Sequence, residues 1–222
     1  MKKIFDLKNN ENLKIELRSI WEKHCTKKEH SPLSPEEVLS DSILFLSLNP
    51  SELYATPGFE PNFWKMNFNT TYKNSSDKPH PHFKKFFELK DLINNETKKD
   101  FTYTYLDLLF CQSTRQAEVA KIIDGDFIKK QAKISIEIIK KVEPRLVIVC
   151  NTLTDKIIHK FGSDIGFTPQ LNNEIYKLSG IPFIIEQSRF MGGQRFLNKE
   201  KRKAKYRLLL KEIKRVLAKT ED

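Results

Sequence analysis

The chain has 222 residues with 39 Lys plus Arg against 29 Asp plus Glu, a formal net charge of +10, and 39% hydrophobic residues. That is enough apolar material for one sizeable core, and the expectation is a single domain over 1–222. No run nears the roughly 18–20 apolar residues of a membrane span, and no signal-like stretch follows Lys2 and Lys3, so a cytoplasmic protein without a membrane partner is expected.

A pI near 9.4 favours a polyanionic partner, nucleic acid first, although a basic surface also serves solubility alone. Cys25, Cys111 and Cys150 are odd in number and far apart. Without a Cys-x-x-Cys pair they read as reduced structural thiols rather than metal ligands.

Leu13, Leu17, Ile20, Trp21 and His24 recur at helical spacing and predict an N-terminal helix, part of a helical extension over about 1–40. Ser34-Pro35-Glu36-Glu37 has the form of a helix start, with Ser34 as cap, Pro35 in the first turn and Glu37 closing a capping box. Ile43 to Leu48 is nearly all apolar, as a strand covered on both faces must be. From Asn49 to about Lys78 the chain is irregular and rich in Asn, Pro, Ser, Thr and aromatics, a length of loop that is usually functional.

Phe83, Phe86, Phe87 and Ile93 predict an amphipathic helix, and Tyr103 to Phe110 a second strand. Asp126 to Val142 returns to helical spacing until Glu143-Pro144, and Leu146 to Cys150 is a third strand. Asn151 or Thr152 caps the helix that Gly162 ends. Glu174–Leu178 and Ile181–Ile185, joined by Ser179-Gly180, form a hairpin whose second arm is the fourth core strand. Tyr206, Leu209, Leu210, Ile213, Val216 and Leu217 give one face of a basic C-terminal helix, about 198–219, entered through Lys199, Lys201, Arg202, Lys203, Lys205 and Arg207.

Strands alternating with helices imply an α/β fold, a three-layer αβα sandwich around a central, mainly parallel four-stranded sheet. In such sheets ligands lie beyond the carboxyl ends of the strands, which singles out Asn49-Pro50-Ser51, Asn151 and the segment Gln187 to Arg195.

Leu48-Asn49-Pro50-Ser51, then Thr56-Pro57-Gly58-Phe59, then Asn62-Phe63-Trp64-Lys65 resembles the opening of the mismatch-specific uracil/thymine branch of the uracil-DNA glycosylase superfamily. There an Asn-Pro signature ends a strand, a Gly-Phe loop follows, and an Asn-x-Phe-Trp-like segment opens a helix; here that element is one residue tighter. The looser resemblance covers about residues 40 to 217, its specific part some twenty. It implies a monomeric glycosylase that flips uracil or a related or modified pyrimidine out of double- or single-stranded DNA and excises it without metal or cofactor.

In that scheme Asn49 orients the attacking water through its amide carbonyl but cannot take its proton. The resemblance makes Phe59 the stacking aromatic, with Tyr54 in reserve; core packing is the ordinary use of both. It also places a minor-groove loop at Gln187-Ser188-Arg189-Phe190-Met191-Gly192-Gly193-Gln194-Arg195. There Gly192 and Gly193 permit close approach to phosphates, Phe190 or Met191 is the wedge, and Arg189 and Arg195 hold phosphates or the widowed base, with Ser51 on the DNA side. A plain surface loop is the simpler use of the segment.

The family's His-Pro-Ser or Asn-Pro-Ser is replaced here by Gln187-Ser188-Arg189. A base-directed donor is therefore missing, and Gln187 or Ser188 would have to substitute. Asn151 stands at the pocket edge or serves only as a helix cap.

His80 and His82 are two apart but lack companion ligands, and read as exposed loop histidines. Asp107 is a carboxylate in an apolar strand, for which a salt bridge or cap contact is expected. No Walker sequence, dinucleotide glycine fingerprint, Gly-x-Ser-x-Gly elbow or His-Glu-x-x-His motif occurs, so those enzyme classes lose support. Two rival functions remain beside the glycosylase: a catalytically inactive nucleic-acid-binding protein of the same fold, suggested by the altered loop, and a nucleoside- or nucleotide-processing enzyme.

Overall fold

A computed structural model describes residues 4–24, 31–50, 58–65, 68, 83–112, 119, 125–167, 176–185 and 199–219. The five helices among them are α1 (Glu11–His24), α2 (Lys84–Thr97), α3 (Asp126–Val142), α4 (Thr152–Phe161) and α5 (Lys199–Lys219). The strands are β1 (Ile4–Asp6), β2 (Leu33–Pro35), β3 (Glu37–Leu39), β4 (Ile43–Ser47), β5 (Asn62–Trp64), β6 (Tyr103–Asp107), β7 (Leu146–Val149), β8 (Tyr176–Leu178) and β9 (Ile181–Ile185).

The central sheet has the order β6-β4-β7-β9-β8. β6, β4, β7 and β9 are mutually parallel, and only β8 runs against its neighbour. The fold is thus mixed α/β with a mostly parallel sheet, of five strands rather than four because the first arm of the hairpin also pairs. Ser179 and Gly180 both take positive φ, 50° and 86°. Their left-handed conformations give the tight turn whose twist suits a two-residue hairpin.

Alternation along the buried strands sorts the core into two clusters. Leu44, Leu46, Leu106, Val147, Val149 and Phe183 pack with residues of α1, α3 and α4. Ile43, Phe45, Tyr103, Tyr105, Leu146, Ile148 and Ile184 pack with residues of α2 and α5. A strand whose two faces both meet helices can have no polar face, which is why β4 is apolar nearly throughout.

The helices follow their apolar periodicity. In α1, Leu13, Leu17, Ile20 and Trp21 are buried, and Asn10 caps the first turn by accepting from the Leu13 amide at 3.1 Å. In α3, nine side chains between Ile128 and Val142 are buried. At roughly 1.5–3 kcal/mol for each fully buried large aliphatic, this packing outweighs intrinsic propensity, which β-branched Ile would lower. In α5, Leu209, Leu210, Ile213, Val216 and Leu217 turn inward while Arg207, Lys211, Lys214 and Arg215 stay exposed.

Two expected helices are strands. Ser34-Pro35-Glu36-Glu37 does not start a helix: Ser34 and Pro35 lie in β2 and Glu37 in β3. Nor does Asn62-Phe63-Trp64 open one, for it is β5, paired in parallel with β2. A capping signature is worth about 1 kcal/mol, and so short a segment would be a poor helix nucleus. Against that, Glu36 accepts at its carbonyl from the Leu7 and Lys8 amides, Glu36 N donates to Trp64 O, and Leu33 N donates to Phe110 O. The stretch before residue 40 is therefore not simply a helical extension: β1 and β3 form an antiparallel pair beside α1.

Candidate active site

In the order β6-β4-β7-β9, successive parallel strands step from β4 outward to β6, then to β7 and β9 on the other side. The connections leave the carboxyl ends of β4 and β7 in opposite directions, opening a crevice between them. Asn49 follows β4 and Asn151 follows β7 at this switch point. Val149 pairs with Ile185, so the chain leaves β9 at the same edge. Two strand spacings, about 10 Å, separate β4 from β9.

Asn49 is half-buried, and its Nδ2 donates to the Pro50 carbonyl at 3.0 Å. Its Oδ1 is the acceptor end of the amide. Asn151 is half-buried with extended backbone, φ −142° and ψ 133°, and its Oδ1 accepts from the Leu153 amide at 2.8 Å. Its side-chain oxygen thus caps α4 at the crevice wall. Phe59 is half-buried against the cluster that includes α1, α3 and α4, with Gly58 before it at φ 123°.

Tyr54, Ser51, Gln187, Ser188, Arg189, Phe190, Met191, Gly192, Gly193 and Arg195 lie outside the described residues, as do His80, His82 and Cys25. Cys111 and Cys150 take part in no disulfide. Asn62, the first residue of the expected Asn-Phe-Trp element, donates from Nδ2 to Ser31 Oγ at 2.5 Å. Trp64 packs at a tilt against Phe83 and meets Tyr105 edge-on, with centroids at 5.2 and 5.6 Å.

Sequence reasoning singled out Asp107 but missed the buried row it joins below the switch point. Ser47 pairs with Asp107 across β4 and β6. On the other side Leu46 pairs with Val149, and Cys150 N bonds Leu46 O at 2.9 Å, which brings Cys150 level with Ser47. Asp107, Ser47 and Cys150 thus form a row across the ends of three adjacent strands, and Asn49 lies two residues beyond Ser47, past the end of β4. The signal available was period two: Tyr105 and Asp107 share one face, as do Phe45 and Ser47.

Asp107 is 2% exposed. Its Oδ1 accepts from the Tyr105 hydroxyl at 2.7 Å, while Oδ2 has no hydrogen-bond partner among the described residues. Among the described residues no salt bridge or cap contact answers this carboxylate; its neighbour is a phenol. Burial pushes the Asp107 carboxyl up to about 7, against the Tyr105 hydrogen bond, which favours the ionised form. Burial, then the Asp107 charge, holds the Tyr105 phenol well above its ordinary range. Leaving a buried polar atom unmet costs about 1–3 kcal/mol, so the site carries a standing destabilisation.

The end of β6 is held firmly. Ser135 Oγ of α3 donates within 3.0 Å of both the Asp107 and Leu108 carbonyls. Gln131 Oε1, on the same helix, accepts from the Phe110 and Cys111 amides at 2.8 and 2.9 Å. A hollow of about 240 Å³ lined by Phe5, Ser40, Lys141 and Val142 lies away from this crevice, since Ser40 precedes β4 and Val142 precedes β7. Among the described residues no group of three or more His, Cys, Asp or Glu could hold a metal ion, and no helix is long and apolar enough to cross a membrane. No protein-family model matches the chain, and no curated protein matches it.

Proposed function

We propose that the protein is a DNA glycosylase that flips out and hydrolytically excises uracil or a related pyrimidine, with a three-layer αβα sandwich of the uracil-DNA glycosylase type. The observation that carries this reading is the position of Asn49 at the switch point of a mainly parallel sheet, on the same edge at which the chain leaves β9. Crevices at such switch points are where ligands of open α/β sheets bind.

In this mechanism the flipped base stacks on Phe59, and Asn49 Oδ1 holds a water behind the sugar. The C1′–N bond breaks with its electron pair on the base, water bonds to C1′, and the proton goes to solvent. An amide cannot serve as general base, so rate comes from positioning and from the leaving ability of the base anion. The reaction needs neither a metal nor a cofactor. Phe190 or Met191 fills the gap in the duplex, Arg189, Arg195 and Ser51 hold backbone phosphates, and the net charge of +10 draws DNA to a monomeric, cytoplasmic enzyme.

The test is incubation with oligonucleotides containing uracil, mismatched thymine or modified pyrimidines, followed by alkaline cleavage of abasic sites. Asn49→Ala is expected to reduce single-turnover excision about a hundredfold or more with its circular dichroism unchanged. Salt-sensitive DNA binding without strand breaks on any lesion would leave a catalytically silent DNA-binding protein in place of the enzyme.

A further inference from the structure

The exposed charges of this chain are sorted by helix. On the outer side of α1 stand Glu11, Glu16 and Glu22, and on that of α2 Glu88, Asp91 and Glu96. On α5 the exposed positions at three- and four-residue spacing are instead Arg207, Leu208, Lys211 and Arg215, flanked by the small Ala204 and Ala218. Glu212, the acid within this stretch, is half-buried. Lys214 is engaged by Glu96 at 2.9 Å, whereas among the described residues Arg207, Lys211 and Arg215 meet no carboxylate. Arg207, Lys211 and Arg215 follow one another at four-residue spacing, and like charges one turn apart repel, so the row weakens its own helix until an anion lies against it.

We propose that this outer face of α5 is a docking surface for the phosphodiester backbone of nucleic acid, separate from the crevice beside Asn49. From Arg207 to Arg215 is roughly 12 Å of helix, the rise of about three to four phosphates along one duplex strand. The two guanidinium forks pair with phosphate oxygens, Lys211 adds a point charge between them, and binding relieves the repulsion within the row while releasing counterions. Lys214 meets Glu96 in the last turn of α2, shortly before β6 begins, which sets this end of α5 level with the amino edge of the sheet and away from the crevice. A strand held here is bound beyond the flipped nucleotide, and the acidic face of α2 bounds the surface on one side. Leu208, 57% exposed, is the large apolar side chain of this face, too little apolar area to enter a bilayer surface. The inference goes beyond the glycosylase reading, since it needs nucleic acid to bind but no base to be excised.

Fluorescence anisotropy of the full chain with a labelled, lesion-free duplex, measured between about 50 and about 200 mM salt, tests the proposal. The triple variant Arg207→Gln, Lys211→Gln, Arg215→Gln is compared with Lys133→Gln, Lys141→Gln, Lys156→Gln. The second triple removes the same charge from exposed sites on α3 and α4, whose buried sides pack in the other core cluster. Gln is a good helix former, and circular dichroism confirms that both triples fold. The α5 triple is expected to flatten the slope of log K against log salt by about 2.7, three contacts at about 0.9 each, and to weaken binding at least tenfold at about 100 mM salt. The α3/α4 triple should change both much less. Equal effects of the two triples, or a wild type that does not bind the duplex, overturn the proposal.

Vesicles of phosphatidylcholine with phosphatidylserine form the second arm. Capture of the wild type that the α5 triple abolishes, with duplex binding left intact, assigns the face to a membrane and overturns the proposal. The two readings fail separately: a chain that excises no base from any lesion can still show the difference between the triples, and triples with equal effects leave the glycosylase reading standing.

Discussion

Replacing Asp107 by Asn should make the protein more stable, by an amount that depends on pH. In the folded chain burial lifts this carboxyl from its ordinary 3.8 to about 7. Between those two values the folded protein retains a proton that the unfolded chain has released, so wild-type stability falls as pH rises through that window and levels off above 7. The shift is about three units at about 1.4 kcal/mol each, roughly 4 kcal/mol in all. Asn has a nearly identical shape, accepts from Tyr105 through Oδ1, and does not titrate. Any constant effect of its amide cancels when one variant is followed over pH. The stability difference between Asn and Asp should therefore grow by about 3 kcal/mol from pH 5 to pH 8, with most of the growth below pH 7. Urea unfolding at unit pH intervals, with m-values checked for two-state behaviour, measures it. A difference that stays flat over this range would mean that Asp107 ionises as readily folded as unfolded, contrary to its burial.

Gly162 has helical angles, φ −48° and ψ −52°, so a propensity argument alone favours Ala there by about 1 kcal/mol. A Cβ at this position would lie 2.8 Å from the backbone oxygens of both Ile158 and Phe167, and Gly162→Ala should instead lower stability by about 1–3 kcal/mol in thermal unfolding. A higher Tm would mean that the 162–167 turn yields at little cost. Asn151→Ala removes the Leu153 cap bond and should cost about 1 kcal/mol, while Asn151→Asp retains it. Excision per folded molecule should be unchanged in Asn151→Ala; a large loss would give Asn151 a place in the base pocket as well as the cap.

Much of the fold was legible locally. The spacing in Leu13 to His24 and in Asp126 to Val142 gave α1 and α3, and the alternation from helix to apolar run gave the parallel strands. Asn151 announced its cap because the residue type, the preceding strand and the following helix are contiguous. Ser34-Pro35-Glu36-Glu37 misled because a cap signature is local, whereas the carbonyls and amides that hold β2 and β3 come from Leu7, Lys8, Trp64 and Phe110. Gly162 ends α4 as expected but for a different reason: space beside Phe167 rather than a left-handed turn.

The long helices, the apolar strands and the chain position of Asn49 follow from local pattern, because each depends on the period or chemistry of neighbouring residues. The strand order, which makes the ends of β4 and β7 a switch point, and the level pairing of Ser47 with Asp107 and Cys150 come from the folded sheet alone. Those relations join residues far apart in the chain through sheet register. The character of Asp107 follows from them: a carboxyl's charge depends on the water and partners left around it, and these are set by packing.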